Sequence, residues 1–120
     1  MPHSKADDLK DRTKAFAVNV ISLCRTLPDT VEGRRIKPQL IDSSTSVAAN
    51  YRACCRARTR PEFIAKMGIV VEEADESGFW LDLLVETGLA TTQVTDGLRR
   101  EANELTAIFA ASLHTAGSRR

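Results

Sequence analysis

Thr59-Arg60-Pro61-Glu62-Phe63-Ile64-Ala65-Lys66-Met67, running on without a break to Thr87-Gly88, is the stretch whose reading decides the fold. A threonine followed by proline two residues on and glutamate three residues on marks a helix start. The hydroxyl accepts from an orphaned backbone N–H, proline sits in the first turn where no donor is needed, and glutamate is placed to close a capping box. Behind this start, Phe63, Met67, Val70, Ala74, Ser77, Leu81, Leu84 and Gly88 recur at intervals of three and four, the period of one helix face. Gly88 is a natural stop, because glycine adopts the left-handed turn that ends many helices. The pattern predicts a helix over about 60–87, roughly 40 Å long at 1.5 Å per residue.

Three more segments of the same period flank it. Upstream, Ile36, Leu40, Ser44, Val47, Tyr51 and Cys54 stripe a helix over about 33–57. Pro38 is awkward there, so the helix is expected to start near Ile36 or to kink. Ser43-Ser44-Thr45-Ser46 has poor helix propensity, but the period runs through it, and its small side chains would let a neighbouring helix approach closely. Further upstream, Leu9, Thr13, Phe16, Val20, Leu23 and Leu27 predict a helix over about 7–27, stopped by Pro28-Asp29. Downstream, Val94, Leu98, Ala102, Leu105, Phe109 and Ser112 predict one over about 92–115. No segment shows the period of two that a half-buried strand requires. The breaks are short, which favours antiparallel neighbours. The expected fold is all-α: an antiparallel up-down-up-down four-helix bundle, one domain over 1–120 with frayed ends at 1–6 and 117–120.

The chain has 120 residues, 42% hydrophobic and 28% charged, with a formal net charge of +1. A domain of this size buries roughly two-thirds of its unfolded surface and needs no disulfide or metal. The balanced charge supplies no global field toward nucleic acid or membrane, so any electrostatic function must be local. Three cysteines, two of them adjacent, fit free thiols in a reducing compartment. Met1–Leu9 is polar, and no apolar run reaches spanning length. A cytoplasmic location without membrane association is expected.

Catalytic chemistry finds little support. The histidines, His3 and His114, lie near the chain ends, and no Glu-x-x-His pair is present to build a di-iron site in a bundle. Neither a zinc ligand set nor a glycine-rich phosphate loop appears. Cys54 and Cys55 have Arg52 and Arg56 nearby to favour a thiolate, but no histidine base. A small core residue beside a surface thiol accounts for them. No catalytic residue, metal or cofactor is expected.

Two features remain. Arg52, Arg56, Arg58, Arg60 and Lys66 lie within fifteen residues, opposed only by Glu62. Across a hairpin turning near Thr59, position 52 would face about 66, and 56 about 62. Basic charge would then collect at the tip joining the second and third helices. It would meet phosphate, an acidic strip such as Glu72-Glu73-Ala74-Asp75-Glu76 on another copy, or solvent alone. Secondly, Phe79, Trp80, Leu81, Leu83, Leu84 and Val85 cover more than one helix face. Phe79, Trp80 and Leu83 are therefore candidates for an oligomer interface.

Gln39-Leu40, Thr45-Ser46-Val47-Ala48-Ala49-Asn50-Tyr51-Arg52, Glu62-Phe63-Ile64-Ala65-Lys66, Glu72-Glu73-Ala74-Asp75-Glu76 and Trp80-Leu81 together resemble the bacterial four-helix-bundle family encoded in intervening sequences of large-subunit ribosomal RNA genes. The resemblance spans about Leu9 to Thr115. It implies assembly as a ring, typically a homopentamer. Relatives include the accessory variability protein of diversity-generating retroelements, a positively charged pentameric barrel that binds nucleic acid and a reverse transcriptase. The resulting expectation is a non-enzymatic homo-oligomer that binds RNA or DNA through the basic tip, with a reverse transcriptase or other protein as a further partner. The alternative is a structural or protein-interaction module without a nucleic-acid role.

Overall fold

Ser4, Thr30 and Thr59 each open a helix by the same device, a hydroxyl oxygen accepting from the backbone N–H three residues on. The partners are Asp7 at 3.0 Å, Gly33 at 2.9 Å and Glu62 at 3.2 Å. In the computed structural model, which describes residues 4–118, these caps begin α1 (Lys5–Thr26), α2 (Val31–Cys54) and α3 (Arg60–Glu86); α4 (Thr92–Ser118) completes the fold. No strand occurs among the described residues.

Several boundaries differ from the sequence expectation, for local reasons. α2 starts at Val31, because Thr30 caps it ahead of Pro38. Pro38 therefore lies inside the helix on an exposed face. Its missing N–H costs one backbone bond, and the helix continues through it. α2 ends at Cys54 rather than near 57, where tighter bonds close the turn, Arg56 N–H to Ala53 and Ala57 N–H to Cys54. Ser4–Ala6, expected to fray, form the cap and first turn of α1, with the Asp7 carboxylate accepting the Ser4 N–H in return. Gly117 and Ser118, also expected to fray, belong to α4. Residues 1–3 and 119–120 of the expected frayed ends lie outside the described residues. At α3 the Glu62 carboxylate reaches past the cap and accepts from the Arg58 N–H at 3.2 Å, so the expected capping box is not closed on Thr59.

Two glycines hold joints that other residues would not fit. Gly88 has φ +77°, and beyond it the Ala90 N–H folds back onto the Leu84 carbonyl at 3.0 Å. A Cβ on Gly33 would lie 2.9 Å from Thr30 Oγ1 and 3.2 Å from Leu89 Cδ2. The first turn of α2 thus sits hard against the α3–α4 connection.

Each adjacent pair of helices is antiparallel. The start of α3 meets the end of α4, where the Arg60 guanidinium donates to the Ala116 carbonyl, and the end of α3 meets the start of α4 through Arg99 and Asp82 at 2.7 Å. The end of α2 meets the start of α3, with Cys54 Sγ 3.6 Å from the Phe63 carbonyl. Midway, Ser43 and Ser77 share a buried hydrogen bond of 2.9 Å. The backbone of α1 comes close to α2 and α4 but not to α3, and its approach to α4 is the sparsest of the four. The result is the up-down-up-down bundle.

The core follows the expected stripes, with one shift. Phe16, Val20, Leu40, Val47, Met67, Val70, Leu81, Leu84, Leu105 and Phe109 are fully or almost fully buried. At the start of α4, Thr95 is buried and Val94 is 54% exposed, the reverse of expectation. Thr95 Oγ1 donates to the Thr91 carbonyl at 2.9 Å, which satisfies its polar atom and lets its methyl face inward.

Arg12 ties down the loosely packed side of α1. Its guanidinium takes Glu101 in a two-bond fork, both bonds 2.8 Å, and reaches Glu104 at 2.7 Å. Forked geometry places such a pair at the upper end of surface ion pairs, about 1 kcal/mol. Arg12→Ala should lower the unfolding free energy by about 1 kcal/mol in urea denaturation. A double-mutant cycle with Glu101→Ala should return most of that as coupling, shrinking in high salt.

Candidate nucleic-acid interface

The five basic residues singled out in the sequence do not form one tip. Arg52 and Arg56 are exposed on the flank of α2 that faces α1, not opposite Lys66 and Glu62 as the hairpin reading expects. The buried series Val47, Tyr51 and Cys54 fixes the rotation of α2, and with that rotation the two arginines open into a cleft of about 860 Å³ between α1 and α2. Lys10 and Lys14 of α1 line the same cleft from the other side. Neither lysine stands out in the sequence. Only the antiparallel pairing of α1 with α2 brings them beside the arginines.

Arg60 leaves the group. Its Nε donates to the Ala116 carbonyl at 2.8 Å and Nη2 bonds the same oxygen, so this side chain closes the last turn of α4. Arg58 projects from the α2–α3 turn, and Lys66 is half-buried on α3. Among the described residues, no hydrogen bond or ion pair holds the side chains of Arg52, Arg56, Arg58 or Lys66.

Toward the other end of α1 and α2 a shallower hollow of about 470 Å³ is lined by Arg25, Arg34 and Lys37. Arg34 is held by Asp29 at 2.8 Å and Lys37 Nζ donates to the Pro28 carbonyl at 3.4 Å, which leaves Arg25 as its open cation. Basic groups thus run along the α1–α2 side of the bundle. The acidic residues Glu72, Asp75 and Glu76 are exposed on α3, with Glu73 half-buried. Burial raises the Glu73 carboxyl above its ordinary range, and the neighbouring charges of Glu76, Glu72 and Asp42 add to the rise. The near-zero net charge conceals two faces of opposite sign.

The three candidate interface residues also separate. Trp80 and Leu83 are partly buried against the core, and Trp80 Nε1 donates to Glu76 Oε2 at 3.0 Å. Phe79 remains 55% exposed, edge-on to Trp80 with ring centroids 4.9 Å apart. Ile69, 37% exposed, lies on the same helix and escaped the sequence reading. Much of the apolar excess on α3 is accounted for by α3 being flanked by both α2 and α4.

Of the thiols, Cys24 and Cys54 are buried and Cys55 is exposed, lining the α1–α2 cleft. Burial pushes the Cys54 thiol up to about 11 and raises Cys24 as well, so neither supplies a thiolate near neutral pH. His114 is exposed on α4; His3 lies outside the described residues. No group of three potential metal ligands gathers among the described residues, and no described helix is long and apolar enough to cross a membrane.

Because Glu73 holds its proton more tightly when folded, the folded state binds more protons just above the ordinary carboxyl range, and stability falls as pH rises through that window. Glu73→Gln should therefore raise Tm at pH 7, by the equivalent of about 0.2–0.5 kcal/mol for relieved like-charge neighbours. Thermal melts at low pH, where both states carry the proton, should show no such gain.

Comparison with known proteins agrees with this architecture. Residues 7–111 match the 23S rRNA-intervening sequence protein family. A protein of unknown function from the S23 ribosomal protein family of Bacteroides thetaiotaomicron superposes with a TM-score of 0.76 at 28% identity, covering 87% of this chain and 96% of that one. No curated protein matches the sequence. With the match extending over nearly all of its four helices, the chain belongs to the 23S rRNA-intervening sequence protein family.

Proposed function

We propose that this protein is a non-enzymatic, cytoplasmic homo-oligomer that binds RNA through the basic surface carrying Arg52 and Arg56. One observation carries the reading. Two arginines one helical turn apart repel each other, yet both are exposed, and no described carboxylate forms an ion pair with either. A polyanion relieves that repulsion and gains from counterion release. The names of the family and of the solved relative both refer to the ribosome or its RNA, which makes RNA the nucleic acid to test first. Arg58 and Lys66 lie toward the α2–α3 turn, off the flank that carries this pair, and Arg60 serves α4. The ring assembly, a homopentamer, rests on the family resemblance.

Fluorescence anisotropy with labelled poly(U) tests the reading. Wild type should lose affinity steeply as salt rises. Arg52→Gln/Arg56→Gln should bind more weakly, with a log–log salt slope shallower by about 1.4, the value for two phosphate contacts on a single strand. Wild-type protein that ignores poly(U) at low salt sinks the proposal.

A second reading, a structural or protein-interaction module, is favoured by Phe79, whose ring lies outside the core beside an acidic strip. Here the outer face of α3 meets the basic face of a neighbouring copy. Phe79→Asp should then dissociate the assembly to the 13.2 kDa chain in sedimentation equilibrium with its helical circular dichroism unchanged. An unchanged mass would remove Phe79 from any interface.

A further inference from the structure

We infer that the RNA strand lies in the cleft between α1 and α2, and that Lys10 and Lys14 are phosphate contacts equal in rank to Arg52 and Arg56. The inference rests on the RNA-binding reading above and deepens it: it names the site and places half of it on α1.

The geometry supports this in three ways. First, the cleft draws its charge from two helices. Lys10 and Lys14 are one turn apart on α1, and Arg52 and Arg56 are one turn apart on α2. Antiparallel pairing sets the two pairs across from each other, so a strand between them meets cations on both walls. Two carboxylates, Asp7 and Asp11, line the cleft as well. Four cations against two anions leave an excess of two positive charges. Asp7 is also occupied, accepting the Ser4 backbone N–H at 3.4 Å and lying 3.3 Å from Lys10 Nζ.

Second, the floor between the walls is low. Ala17, Ala48 and Ala49 line it, so no bulky side chain blocks a polymer from settling between the helices. Third, the cleft points along a continuing track. The hollow at the other end of the same helix pair presents Arg25. From Lys10 to Arg25 is roughly 23 Å along α1, which is long for a mononucleotide and suits a strand of several nucleotides. The exposed α3 face, by contrast, is acidic and repels phosphate. The chemistry recognised is the phosphodiester backbone, shared by RNA and single-stranded DNA.

Cys55 makes the location directly testable. It lines the cleft and is the exposed thiol, while Cys24 and Cys54 are buried. Alkylation of the native protein by iodoacetamide, read by mass spectrometry, should modify Cys55 and be slowed several-fold by saturating poly(U). In parallel, Lys10→Gln/Lys14→Gln should make the salt slope for poly(U) shallower by about 1.4, as Arg52→Gln/Arg56→Gln does, while Arg58→Gln/Lys66→Gln leaves it close to wild type. Poly(dT) identifies the source of the backbone: the same losses with both polymers mean phosphate contact alone, and losses confined to poly(U) mean RNA. If Cys55 alkylates at the same rate with poly(U) bound, or the lysine variant keeps wild-type affinity and slope, the cleft is not the site. The RNA-binding reading then survives if Arg58→Gln/Lys66→Gln weakens binding, and it falls if every variant binds as wild type.

Discussion

Ser43 Oγ and Ser77 Oγ lie 2.9 Å apart in the seam between α2 and α3, both side chains buried. Small residues on facing helices allow close approach, and the shared hydrogen bond removes the desolvation cost that two buried hydroxyls would otherwise carry. One hydroxyl donates across the seam and the other to a carbonyl of its own helix, Leu40 for Ser43 or Glu73 for Ser77, and no buried polar side-chain atom among the described residues lacks a partner. The seam fixes the rotation of both helices. Once it is set, Val47, Tyr51 and Cys54 must face the core, Phe109 stacks on Tyr51 at 4.9 Å, and α4 closes over the other side of α3.

The same rotation leaves α1 as the outlying element. Its backbone runs close to α2 and α4 but not to α3, and grooves run along both of its flanks. Its sparse approach to α4 is bridged by the Arg12 fork with Glu101. Grooves beside a peripheral helix keep their charged walls wet, so cations there retain the hydration that burial would strip. A basic surface is cheapest to maintain in such a place. Lys10, Lys14, Arg52 and Arg56 gather beside the helix whose packing is least complete.

The fold was legible in the sequence because its signals are local. A cap threonine, a period of 3.6 and a terminal glycine are each read within one segment, and they located four helices to within a few residues. The misplacements have local causes of another kind. Pro38 reads as a helix start, but Thr30 caps α2 ahead of it, and proline inside an exposed helix face removes only one backbone bond. Val94 outranked Thr95 by hydrophobicity, although Thr95 satisfies its hydroxyl within its own helix. The candidate site was legible only in part, because it depends on which helix flank faces which neighbour. Arg52 and Arg56 could be found by their density. Lys10 and Lys14, on a different helix far upstream in the sequence, carry no signal of their own until α1 is laid antiparallel to α2.

Arg60 shows why charge density alone misleads. It sits in the middle of the basic run, and by sequence it is as good a phosphate ligand as its neighbours. Its guanidinium is instead spent on a single backbone oxygen, Ala116, at the end of α4. A helix C-terminus concentrates unpaired carbonyls and partial negative charge, so a nearby arginine is drawn to it whether or not a ligand exists. Arg52 and Arg56 have no such outlet: the last turn of their own helix is closed by backbone bonds from residues 55–57, and both side chains project into the α1–α2 cleft. What separates a structural arginine from an available one here is the position of the nearest helix end. That difference leaves the available pair on the α1–α2 flank of the bundle and not at its tip.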